Sequence, residues 1–211
     1  MMHSGMKSSI YKNIPPIEIW GPESTEKYPN ELEARKYEEA IYVLNNKISD
    51  DPNNAALYLE RAILRDFNYS HEFNIAIDLF NAAEDDLIVY HKIKRQRARW
   101  IYEDFCMAVN LEPDNDLYHF HKGLSVDGYG FIEYGGMTPE EAEIDFSNAI
   151  KLNSNDFRYF YARADAIYSI EGAFRYVDII KDLEIAISMN PPKNVLEMLI
   201  TSKDFVESCR K

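Results

Sequence analysis

Cysteine is nearly missing from this chain. Cys106 and Cys209 stand far apart, and two such residues build neither a disulfide framework nor a cysteine-based metal spacing. Reduced thiols are the plain expectation. Long apolar runs are missing too. No stretch approaches the roughly 20 apolar residues of a membrane span. The first thirty residues hold no apolar core of the kind a signal peptide needs. A cytoplasmic protein with no membrane segment is expected. Positive charge is short: 23 Lys and Arg stand against 36 Asp and Glu, a net charge of -13. Such a surface repels phosphate backbones and anionic lipid, which disfavours nucleic-acid and membrane binding. Glycine is thin as well, 8 in 211 residues. What the chain has is apolar bulk. With 46% hydrophobic residues it can pack a core as one sizeable domain or a short repeat array.

One spacing recurs along that apolar bulk. A small or aliphatic residue is followed four later by a large apolar one. A small residue often comes three further on, and a proline five beyond that. The copies are Ala40-Leu44-Lys47-Pro52, Ala76-Phe80-Ala83-Ile88, Ile101-Phe105-Ala108-Pro113, Ala142-Phe146-Ala149-Ser154 and Ile179-Leu183-Ala186-Pro191. Offsets of four and three share one helical face, and proline just past the end stops the helix. A second pattern follows three of the stops. Ala62, Gly123 and Ala164 come ten residues later, each preceded four earlier by a ring: Tyr58, His119 and Phe160. This describes another helix with an aromatic anchor and a small contact point. Gly123 is there for close helix packing, since inside a helix it costs about 1 kcal/mol relative to Ala.

These rings, small residues and proline-ended ladders resemble tetratricopeptide (TPR) repeats, helix-turn-helix units of about 34 residues. The resemblance covers roughly residues 36–191. It implies an all-α fold, a right-handed α-α superhelix of helical hairpins. Three organisational segments are expected: an extended N-terminal segment 1–30, a repeat array 31–191 and a C-terminal capping helix 192–211. The last rests on Val195, Met198, Leu199, Phe205, Val206 and Cys209, which suit an amphipathic helix closing the stack. The array is irregular. Successive ladders lie 36, 25, 41 and 37 residues apart, and the short gap leaves no room for a separate first helix. Residues 87–111 read as one long helix or two short ones sharply joined. Residues 73–84 are either a repeat helix or an insertion that matches the ladder by chance. Helix starts are expected at Glu31 after Asn30, after Ser70, and at Thr138-Pro139-Glu140-Glu141, a capping Thr with Pro in the first turn.

Candidate chemistry is sparse. His119 and His121 point to different faces of one helix, and His71-Glu72 lacks the second His of a zinc motif. A packed His119 replacing an aromatic anchor is the better reading. Asp114-Asn115-Asp116 starts like a calcium loop, but Tyr118 and Phe120 break it. The glycine-rich stretch 125–137 has neither the Lys-Ser/Thr nor the preceding strand of a phosphate loop, so an insertion is favoured. The basic cluster Lys92, Lys94, Arg95, Arg97 and Arg99 stands out in an acidic chain. It can bind an acidic peptide or nucleic acid, or pair with acidic neighbours, and internal pairing is favoured. No catalytic residue, cofactor or metal is expected.

The expected function is therefore that of a non-catalytic scaffold holding a protein or peptide partner. The resemblance implies that the first helix of each hairpin lines a concave groove. Its residues map to Leu59, Ile63 and Asp66, then Phe120, Leu124 and Asp127, then Arg158, Tyr161, Asp165 and Tyr168. Several could instead be core. Leu59, Ile63, Phe120, Leu124 and Asp165 stand where a chaperone-tail-binding subtype carries Lys, Asn and Arg, so that role is disfavoured. Apolar, tyrosine and aspartate groove residues suit an apolar or basic segment. A dedicated chaperone or immunity-type protein masking one cognate partner is the alternative. An enzyme or nucleic-acid binder using 125–137 or 92–99 comes third.

Overall fold

The computed structural model describes residues 34–66, 87–125 and 137–209. Every regular element among them is helical. In chain order these are α1 (Ala34–Asp50), the helical residues 55–66 (α2), α3 (Leu87–Leu111), α4 (Asp116–Leu124), α5 (Pro139–Leu152), α6 (Phe157–Glu171), a 3₁₀ turn (Gly172–Arg175), α7 (Tyr176–Ser188) and α8 (Lys193–Ser208). The chain divides between Thr138 and Pro139 into two compact units. No helix among the described residues is long and apolar enough to cross a membrane.

In the unit before Pro139, the α1–α2 turn is fastened by its own sequence. Asn54 Nδ2 donates to Asp51 Oδ2 at 3.1 Å, and Tyr58 Oη donates to the Pro52 carbonyl at 3.0 Å. The α3–α4 turn repeats the arrangement six residues apart in the same sense. His119 Nε2 lies 2.9 Å from the Pro113 carbonyl. A carbonyl can only accept, so Nε2 carries the proton. His119 thus fills the anchor position that Tyr58 fills, as its spacing predicts. A core formed by Ile48, Ala55, Tyr58, Ala108 and Tyr118 joins α1 to α4. Ile48 takes the buried place beside the off-pattern Lys47, which is exposed. Residues 87–111 form one 25-residue helix, which resolves the choice left open by the sequence.

In the unit from Pro139 onward, α5 packs on α6, α6 on α7 and α7 on α8. Helix α5 begins at Pro139, directly after Thr138. The ladder residues are its interior: Ala142, Phe146, Ala149, Ile179, Leu183 and Ala186 are all buried. Phe160 and Ala164 of α6 join Ile179, Leu183, Val195, Leu199 and Val206 in one core cluster. After α7 the chain reverses through Asn190 at φ 53°. Asn is the residue other than Gly that most readily takes this left-handed position.

One arginine crosslinks three helices in each unit, in the same way. Arg61 of α2 donates to Asn45 of α1 at 2.7 Å, and through Nε (2.9 Å) and Nη2 (2.6 Å) to Asp104 of α3. Arg163 of α6 donates to Ser147 of α5 at 3.2 Å, and through Nε (2.8 Å) and Nη2 (2.7 Å) to Asp182 of α7. Each guanidinium also lies over the ring three residues earlier, Tyr58 at 5.5 Å and Phe160 at 5.9 Å. The backward spacing is 16 residues in both units, while the forward spacing is 19 in one and 43 in the other. The forward spacing is thus 24 residues longer in the unit before Pro139. The second ladder copy, Ala76 to Ala83, falls in that interval and outside the described residues, as does the Ser70 start. The start at Glu31, the segment 1–30 and most of the glycine-rich stretch also lie outside the described residues.

Candidate functional site

Helix α6 carries a group of proposed groove residues that shares a crevice. Asp156 precedes the helix. Its Oδ1 accepts the backbone N–H of Arg158 at 3.0 Å, and its Oδ2 takes the Arg158 Nε at 2.9 Å. This is a side-chain cap of the first turn, and it holds Arg158 at the helix start. From there Tyr161, Asp165 and Tyr168 follow at helical spacing along one face. They line a crevice with Ile179 and Leu183 of α7 and Ser202 and Val206 of α8, about 260 Å³ of empty space with its open mouth included.

Helix α8 covers much of this face. Tyr161 is buried, and its hydroxyl donates to Met198 Sδ at 3.7 Å. Burial first and the Asp165 charge second push its phenol well above the ordinary range. Tyr168 is half-buried and meets Phe205 edge to face, with centroids 6.2 Å apart. Its phenol is also raised, by burial first and then by Cys209 and Asp165. Both tyrosines therefore stay neutral hydrogen-bond donors, with a half-buried Asp165 between them. The arrangement offers apolar contact, the Tyr168 hydroxyl and one carboxylate.

In the unit before Pro139, Leu59 is half-buried against the core cluster, and Asp66 is half-buried. Ile63, Phe120 and Leu124 are buried. Asp127 lies outside the described residues. Of the basic cluster, Arg99 is exposed and paired with Glu103 four residues on, at 2.7 Å. Lys92, Lys94, Arg95 and Arg97 have their backbone in α3, while their side chains lie outside the described set. The structure adds Arg65, which donates to Asp104 Oδ2 at 2.6 Å and lies 5.7 Å over the Trp100 ring. The spacing patterns missed Arg61, Arg65, Arg163 and their aspartates because they were drawn from apolar residues alone. The signal was present: Arg stands immediately before Ala62 and Ala164, and Asp immediately before Phe105 and Leu183.

Sequential antiparallel hairpins with small-residue contacts can be compared directly with solved structures. A thermophilic TPR protein from Thermus thermophilus matches over 87% of this chain and 87% of its own, with a TM-score of 0.56 and 14% sequence identity. The fold is TPR-like. In the unit from Pro139 onward α6 and α7 pack as one such hairpin, and α2 is joined to α3 through Arg61 and Asp104. No family model and no curated protein matches the sequence, so the likeness reaches the fold and goes no further.

Proposed function

We propose that this chain is a cytoplasmic, non-catalytic interaction scaffold that holds an apolar or basic protein segment against the first helices of its hairpins. The reading takes those hairpins as turns of a right-handed superhelix closed by α8. The observation that carries it is the Tyr161–Asp165–Tyr168 strip beside a small apolar crevice. It supports a binding surface because the half-buried Tyr168 gives rigid aromatic contact area, and the nearby Asp165 carboxylate favours a basic neighbour. Arg158 at the start of α6 belongs to the same proposed contact set, and in the unit before Pro139 Leu59 and Asp66 of α2 are the corresponding proposed contacts. Asp127 is expected there from the sequence, whereas Ile63, Phe120 and Leu124 are buried in the fold and offer little contact area.

Tyr168 is the better probe, because Tyr161 is already committed to Met198. The partner is first identified by crosslinking and mass spectrometry, then titrated calorimetrically. Replacing Tyr168→Ala and Asp165→Asn together should weaken it by about 2 kcal/mol, the scale of a central contact residue. Unchanged affinity in a folded double variant removes this strip as the site. A single partner held one to one would favour the masking role over a multi-partner scaffold.

A further inference from the structure

The crevice between α6, α7 and α8 has an apolar floor and an aromatic mouth. Ala164, Ile179, Leu183 and Val206 line it and are all buried. Tyr168, half-buried, meets Phe205 edge to face, and Phe205 keeps 43% of its surface exposed. Rings exposed beside an apolar floor accept proline-rich segments, because the polyproline conformation is already extended and loses little freedom on docking.

The chain carries a segment of this kind. Residues 14–22 read Ile-Pro-Pro-Ile-Glu-Ile-Trp-Gly-Pro. Proline fixes its own φ and biases the residue before it toward extended backbone. At three residues per turn, Ile14, Ile17 and Trp20 share one edge, about 19 Å long. The charges agree with the shape. Residues 1–22 hold Lys7 and Lys12 against Glu18 alone, in a chain whose net charge is -13. Asp165 lines the crevice, and its charge is felt by both Tyr161 and Tyr168. Thirteen residues lie between Trp20 and the start of α1 at Ala34. Extended, they cover about 43 Å, more than the roughly 30 Å width of a compact unit of about seventy residues.

We propose that residues 14–20 of this chain occupy the α6–α8 crevice, their apolar edge against Tyr168 and Phe205, and that an outside segment binds by displacing them. This rests on the reading of the α6 strip as a binding surface and names its resident occupant. A tethered occupant competes at an effective concentration on the order of millimolar. Weak or scarce apolar segments are therefore kept out, and only a tight partner gains the strip.

The test uses the full chain. It has two tryptophans, so Trp100→Phe leaves Trp20 as the fluorescent reporter. Trp20 should be quenched by acrylamide several-fold less in the native protein than in guanidinium. Adding Tyr168→Ala with Phe205→Ala should raise the native quenching several-fold. If that variant loses its thermal transition, Ser202→Arg, which fills the mouth of the crevice, carries the same expectation. Failure of the strip itself shows elsewhere, in partner affinity unchanged by Tyr168→Ala with Asp165→Asn. The resident segment is ruled out if native Trp20 is quenched as freely as in guanidinium, or if its shielding is unchanged in a folded crevice variant. Shielding that falls on dilution also overturns the proposal, because the occupant would then come from a second copy.

Discussion

Asp104 and Asp182 do the same job for different loads. Asp182 holds Arg163, whereas Asp104 holds Arg61 and Arg65 together. Burial lowers Arg65 below the ordinary guanidinium value; the attraction of Asp104, the next largest effect, opposes it, and repulsion from Arg61 adds to the lowering. Arg163 goes the other way, raised chiefly by its hydrogen bonds to Asp182. Replacing either aspartate by asparagine keeps its size and leaves a half-buried arginine without its counter-charge. Breaking a fully buried pair costs about 3–5 kcal/mol, and partial solvation of the arginines reduces that here. Asp182→Asn should therefore cost about 2 kcal/mol in urea unfolding and Asp104→Asn about 3. Equal costs would show that Arg65 gains nothing from Asp104. These residues were visible in the sequence, but their pairing was not. Arg61 and Asp104 are 43 positions apart, and no local spacing connects them.

Among the elements, the helices with clear stops were the most legible. Ladder residues at offsets of four and three become buried faces because 3.6 residues per turn leave them nowhere else to point. Helix α5 starts at Pro139, where Thr138 and the following acids place it. The turn after α7 adds a detail that periodicity cannot supply. Asn190 bonds back to the Ile187 carbonyl at 3.2 Å while holding its positive φ. Asn190→Gly should be neutral or slightly stabilising, and Asn190→Val should cost about 1–2 kcal/mol because its branched side chain crowds this conformation. Thermal melts of the two variants check it, and a harmless valine would mean the turn relaxes to another conformation. Helix α3 was harder to read. Its continuity across residues 87–111 depends on no breaker residue, but a sharp join would have satisfied the same pattern.

Across the molecule, the tyrosines set an alkaline limit. Tyr118, Tyr161 and Tyr168 are all raised from the ordinary phenol value of 10, with burial the largest cause in each. A phenol that resists ionisation in the fold, yet ionises freely when unfolded, contributes stability that is complete below its unfolded value. That contribution is lost as pH rises toward the native one. Thermal stability should therefore fall above about pH 10, and Tyr161→Phe should flatten the fall. An unchanged slope would show that Tyr161 ionises as readily in the fold as out of it. The sequence by itself determined most of the described helices, the buried faces of their ladders and the TPR-like pattern, because these follow from short-range periodicity and local stops. Only the tertiary structure decided which arginine meets which aspartate and that α8 covers Tyr161. Those outcomes depend on which helices lie side by side, and contacts between residues distant in the chain leave no fixed interval in it.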